Sequence, residues 1–447
     1  MPTDAQGLPI TAASDAAAAA YDHAIQGYLT YRADGGQRLK ALLALDAEMP
    51  MGQVLKGAFA MLSYNSAQVP RAREAAAAAA RLAGRDREAM HAGALAAWAD
   101  GDLDGALGGW EAIMAAHPHD ILAFRLHHFS AFWLGRAGVM LRAVEAVAPR
   151  WSAAMPGYGS ILACRCFAHE EAGNYVVAEE AGRAAVALDP ADLWATHGVA
   201  HILEMQGRRG EGIAWLRMLE PHWEGGSNLL HHLWWHRGLY HIERGEHAEV
   251  LALYDRGFRN PASVLFQAMP DLYIDVQNAA SMLFRLQRQG VDVGDRWVEL
   301  ADKAEARIGD CLSTFTLPHW MMALAATGRT QAAARMLDAM REAAQQPGTI
   351  APILRDAAIP VCEAVLAHAQ GDHARAVNVM RPAIGVMHRM GGSHAQQDVL
   401  EQLFLDAALK AGADQDVRLL LERVAGRHPV PPDRRAGYAA AAREIRH

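Results

Sequence analysis

Basic residues are the first shortage in this sequence: 42 lysines and arginines stand against 50 aspartates and glutamates, a formal charge of −8. Binding nucleic acid along a broad face needs the opposite balance, so no nucleic-acid partner is expected. Long apolar runs are missing too. No stretch of eighteen apolar residues occurs, and Met1 to Ala20 lack the basic start and continuous apolar core of a secretory signal. A cytoplasmic protein with no membrane partner is the expectation. The chain has only four cysteines, Cys164, Cys166, Cys311 and Cys362, with one C-x-C pair and no C-x-x-C, so they are expected to be buried small hydrophobes. Neither a G-x-S-x-G elbow, nor a phosphate loop, nor a G-x-G-x-x-G after a strand is present, so no nucleotide cofactor is expected. No strand pattern of useful length appears.

What the sequence does have is a glycine rhythm. Gly101, Gly135, Gly173, Gly207 and Gly245 follow one another at steps of 34, 38, 34 and 38 residues, each near the end of a helix-like segment. A tetratricopeptide unit is about 34 residues long and cannot bury its apolar face alone, so the rhythm predicts stacked helix-turn-helix copies. The fold class is all-α, a tetratricopeptide-like α-solenoid able to curl tightly around a central cavity. In the copy from Arg87 to Pro118, one helix carries Met90, Leu95 and Trp98, and the chain turns at Asp100-Gly101-Asp102. A second helix follows with Leu103, Leu107, Trp110 and Ile113, and Pro118 stops it. Beyond Gly245 the steps lengthen to 45, 38, 43 and 41, at Gly290, Gly328, Gly371 and Gly412, which implies longer helices or insertions. The organisation expected is a helical cap over 1–85, the repeat array over 86–428 and a tail over 429–447. Ser14 can cap the first helix, and the alanine run from Ala75 to Ala80 favours helix.

The first helix of each pair is expected to face the inner groove, and histidine recurs there. His91 and His197 lie ten residues before their turn glycines, and His236 and His319 nine before theirs. His197, His201 and Glu204 stand at i, i+4 and i+7, one helix face about 10 Å long. The next such helix carries His232, Trp235, His236, Tyr240 and Glu243. Imidazole can bind a metal, move a proton or hydrogen-bond an anion, and a nearby carboxylate sets its tautomer. His197, His201 and His236 are the metal candidates, although H-E-x-x-H is absent and a pair four apart is a weak metal signal without a third ligand. A single histidine in such a helix more often satisfies the core than binds a ligand, and tryptophan at helical spacing is more often inter-repeat core. Several ionisable groups on one wall are costly unless paired or used, which favours a site for the cluster as a whole. Glu170, Glu204 and Glu243 sit near helix C-termini, where Arg208, Arg209 and Arg244 could offset them. Ser393 and Gln396 have capping-box spacing, leaving His394, Gln397 and Asp398 to face inward.

Across Glu170-Glu-Ala-Gly-Asn-Tyr175, Asp189-Pro-Ala-Asp192, Trp194-Ala-Thr-His197, Ala200-His201-Ile-Leu-Glu204, His232-Leu-Trp-Trp-His236, Val293-Gly-Asp-Arg-Trp297, His319-Trp-Met-Met and Gly391-Gly-Ser-His394-Ala-Gln396, the chain resembles the tetratricopeptide repeat protein 38 family. The blocks spread from about His119 to Asp398. The resemblance implies an all-helical repeat fold and marks His197, His201, Glu204, His232, His236, His319 and His394 as matching the family's recurrent polar motifs. It supplies no reaction. Leu233 stands where the family pattern has asparagine, which puts the ligand range in question.

The expected function is binding of a small polar molecule or short peptide in a cavity lined by His197, His201, Glu204, His232, Trp235, His236, His319, His394 and Asp398. The alternative is a cofactor-independent or metal-assisted hydrolase or lyase using His197, His201, Glu204, His236, His319 and His394. A divalent metal and a homo-oligomer are compatible with both.

Overall fold

The computed structural model describes residues 2–444. Among these, helices and turns make up the regular structure, and the only strand-like pairings are isolated bridges from Thr3 to Pro9 and from Arg32 to Gly226. Eight helices carry the functional argument: α1 (Asp15–Leu29), α2 (Ile121–Trp133), α3 (Tyr158–Glu171), α4 (Leu193–Met205), α5 (Leu229–Glu243), α6 (Tyr273–Arg288), α7 (Thr316–Ala326) and α8 (His394–Lys410).

The glycine rhythm is a rhythm of helix ends. All nine turn glycines adopt positive φ, from 64° at Gly135 to 84° at Gly101, the left-handed turn conformation that a Cβ disfavours. These turns join helices that pack on one another, as Asp86–Ala99 does on Leu103–Ala116 and α3 on Tyr175–Leu188. Pro118 and Pro190 lie just past the second helices of their pairs, outside the hydrogen-bonded turns. The 45- and 43-residue intervals carry insertions: each contains an extra short helix, Val264–Ala268 or Ala351–Ile353, and a five-residue π-helical segment, Tyr254–Phe258 or Leu354–Ala358. The predicted caps form as well. Ser14 accepts the N–H of Ala17, and Ser393 with Gln396 completes a reciprocal capping box at the start of α8.

The residues divide into two compact units. The first comprises Met1–Val199, Leu219–Leu229 and Pro347–Thr349, and the second Ala200–Met218, Leu230–Gln346 and Ile350–His447. In the first, close helix packing depends on missing side chains: a Cβ on Gly182 would come within 2.6 Å of Cys166 Sγ and 2.7 Å of Val199 Cγ2. His91 sits in a buried ion network there, its Nε2 2.9 Å from Asp120 Oδ2, which also accepts from Arg87 at 3.0 Å. That histidine is a fastener of the fold. In the second unit a Cβ on Gly212 would meet Tyr240 Cζ at 2.3 Å, so glycine is what lets the phenol reach the Ala200 carbonyl at 2.6 Å.

Candidate functional site

The second unit concentrates imidazoles. One α4 face presents His201 and Glu204, and α5 presents His232 and His236. The i, i+4 spacing on α5 stacks its pair over one helical turn, leaving ring centroids 4.7 Å apart, while His201 comes 4.4 Å from His236. Ring nitrogens of His201, His232 and His236 lie within 4.8 Å of one another. All three side chains are buried.

Each of the two α5 rings is held by a partner behind it. His232 Nδ1 donates to the side-chain oxygen of Asn278 on α6 at 2.7 Å, which sets its tautomer with the proton on Nδ1. His236 Nδ1 and Glu204 Oε2 share a proton at 2.8 Å. Trp235 stacks on His232 at 4.9 Å and 12° and donates its N–H to Ser281, so this tryptophan is the wall of the imidazole cluster. Burial lowers the basicity of His232 to about 4 against the Asn278 bond. For His201, burial together with the neighbouring His232 and His394 lowers it well below the usual range. Both are therefore neutral at pH 7, the form in which imidazole binds metals.

Glu204 joins this cluster to a second one. Burial raises its carboxyl to about 8, with Arg285 opposing and Asp398 adding to the rise. Its side chain remains 17% exposed, and it lines two adjoining cavities. One is bounded by Arg209, Tyr240, Glu243, Arg285, Asp398 and Arg435. The other is bounded by His394, Asp398, Glu401, Arg427, His428 and Arg435. Their free spaces are about 30 and 20 Å³, room for about one or two water molecules each. Asp398 anchors the far wall: it accepts from Arg435, from Tyr438 at 2.6 Å, from Gln402 at 2.6 Å and from Arg285 at 3.3 Å. Burial alone would raise its pKa, but Arg435 and Arg285 hold it below the ordinary carboxylate range.

The expected residues thus take different places. His201, His232, His236, Glu204 and Trp235 come together; His394 and Asp398 line the cavities beside Glu204. His319 on α7 donates Nδ1–H to its own helix at the Phe315 carbonyl, 2.9 Å away, and lies within electrostatic reach of Arg285. His197 occupies the turn of α4 before His201 and packs in the first unit on Trp194 and Phe167, at 4.7 and 5.4 Å. Of the arginines expected beside the helix-end carboxylates, Arg209 pairs with Glu243 at 2.7 Å, whereas Arg208 pairs with Glu211 and Arg244 with Glu246. One expectation is corrected: Cys164 is buried but is no simple hydrophobe, because its sulfur accepts an N–H of Arg125 at 3.2 Å.

Sequence reasoning missed Asn278, Arg285, Arg435 and Tyr438. The signal for the first two was a polar stripe on α6, Asp275, Asn278, Ser281 and Arg285, at spacings of three, three and four. The signal for the other two was weaker, since the segment after Pro429 read only as a short tail.

No family model matches the chain. Among solved structures, yeast Tom70 is similar at 11% identity and a TM-score of 0.35, over 97% of this chain and 96% of that one. The structure of Naa15/Naa10 bound to HypK-THB is similar at 13% identity and a TM-score of 0.23, over 92% of this chain and 68% of that one. Likeness at this level says nothing of ligand or reaction.

Proposed function

We propose that this helical-repeat chain is a member of the tetratricopeptide repeat protein 38 family whose second unit binds one divalent transition-metal ion through His201, His232 and His236. The observation that carries the reading is the convergence of three buried imidazoles within 4.8 Å, two of them oriented from behind by Asn278 and Glu204. Backing groups of this kind fix tautomer and ring direction in metal-binding histidines, and neutral imidazole suits zinc, copper, iron or nickel. The two cavities beside Glu204 are water-sized and polar, which supports a small polar ligand over a larger one there.

A metal-assisted hydrolase is the second reading, and Glu204 favours it. A largely buried carboxyl that lines a water-sized space and hydrogen-bonds His236 is placed to take a proton from water and return it. A cytoplasmic setting belongs to the same proposal and rests on composition; among the described residues no helix is long and apolar enough to cross a membrane. Elemental analysis of protein purified without added metal tests the binding reading. One metal per chain, lost in His232→Gln, supports it; a metal-free protein that cannot be reloaded refutes it.

A further inference from the structure

The first unit contains a second polar cluster, built around a buried cation. Arg125 on α2 is 1% exposed, and its guanidinium stays protonated at any physiological pH. Burying such a charge is costly unless an anion compensates it. Its hydrogen-bond partners are neutral. One terminal nitrogen donates to the sulfur of Cys164 on α3 at 3.2 Å, the other to the hydroxyl of Tyr31 at 3.1 Å, and Nε–H has no partner. Burial holds the Cys164 thiol above its ordinary pKa against the pull of Arg125, so the sulfur is a thiol. Asp192 acts on Arg125 only at longer range; its Oδ1 accepts the backbone N–H groups of Trp194 and Ala195.

The surroundings have the character of a receptor. Rings of Tyr28, Tyr31 and Trp194 stand 5.8, 5.6 and 5.5 Å from the guanidinium carbon. The Tyr28 hydroxyl and both ring nitrogens of His128 are buried without a hydrogen-bond partner, and burial with Arg125 keeps His128 neutral. Tyr31 adopts φ of 55°, a conformation unusual for a residue with a Cβ, and is pinned there by the N–H of Ser227 on its carbonyl at 2.7 Å. That backbone directs its phenol to Arg125. Tyr28 and Tyr31 are only half-buried, which leaves an edge toward solvent.

We infer that Arg125, Tyr28, Tyr31, His128 and Trp194 form a binding site for a small organic monocarboxylate. Asp192 makes no hydrogen bond to the guanidinium, so a ligand carboxylate would supply the direct anionic partner that the cation lacks. The Nε–H and the Tyr28 hydroxyl supply donors that no protein group uses, and the aromatic rings take the apolar body of the ligand. A phosphate dianion would bring a second charge to a site with one cation and with Asp192 nearby.

Thermal unfolding of the full chain in sodium acetate or sodium benzoate, against sodium chloride at equal ionic strength, tests this. The midpoint of the wild type rises with carboxylate concentration, and Arg125→Met is as stable as the wild type without ligand but shows no rise. Tyr28→Phe, which leaves the cation in place, weakens apparent affinity about fivefold, as expected for one lost hydrogen bond. A wild type that responds to carboxylate no more than to chloride overturns the proposal, and so does an equal response to phosphate. Should Arg125→Met fail to fold, unchanged affinity in Tyr28→Phe overturns it as well.

Discussion

Replacing Asp192 by asparagine should stabilise the protein at neutral pH and leave it unchanged in acid. Asp192 is 3% exposed and caps the start of α4 by accepting N–H groups of Trp194 and Ala195 at 2.9 and 3.0 Å. Burial raises its pKa from 3.8 to about 6, with the Ala195 N–H and Arg125 opposing. Because the folded value is above the unfolded one, the folded state holds the proton more tightly, so this group costs stability as pH rises through that interval. A difference of about two pH units corresponds to about 3 kcal/mol, reached in full above pH 6 and absent below pH 4. Asparagine keeps the capping oxygen and cannot ionise. Urea unfolding of Asp192→Asn should therefore show about 3 kcal/mol of added stability at pH 7.5 and almost none at pH 3.5. A difference that does not vary with pH, or a loss of stability at pH 7.5, would refute the reasoning.

Three further outcomes follow from the geometry. Asn278→Ala removes the acceptor that orients His232 and should weaken metal affinity about 10- to 100-fold in a chelator competition; affinity within a factor of two of the wild type would show that the backing bond is irrelevant. His236→Gln should preserve the helical circular dichroism spectrum and abolish metal binding; spectrum and binding lost together would mark His236 as a core fastener. Gly173→Ala, with φ of 78° and open space around the new methyl, should cost about 1 kcal/mol. Gly212→Ala, whose methyl would lie 2.3 Å from Tyr240, should cost about 1–3 kcal/mol, and equal unfolding midpoints for the two would contradict the packing argument.

The glycine ladder was legible in the sequence because its cause is local: a helix end in the left-handed conformation tolerates few residues besides glycine, and all nine positions have it. His201 with Glu204, and His232 with His236, could also be read, since spacings of three and four fix a helix face without tertiary information. What could not be read was pairing at long range. Asn278 lies 46 residues from His232, and Arg435 lies 37 from Asp398. Nothing in the local pattern of the last segment distinguishes Arg435 from a solvated charge. Cys164 was misjudged for the same reason, because its partner Arg125 is 39 residues away and on another helix. The α6 stripe shows the remedy: polar residues at helical spacing on a helix buried on both sides announce a site or a network before its partners are known.

Cobalt(II) titration of the metal-free protein, followed by visible absorption, tests the central claim most directly. The account predicts saturation at one ion per chain with the absorption of a low-coordinate nitrogen-ligated site, and loss of that absorption in a His232→Gln, His236→Gln double variant that retains the wild-type helical spectrum. Absorption that never saturates, or that persists unchanged in the double variant, would contradict it.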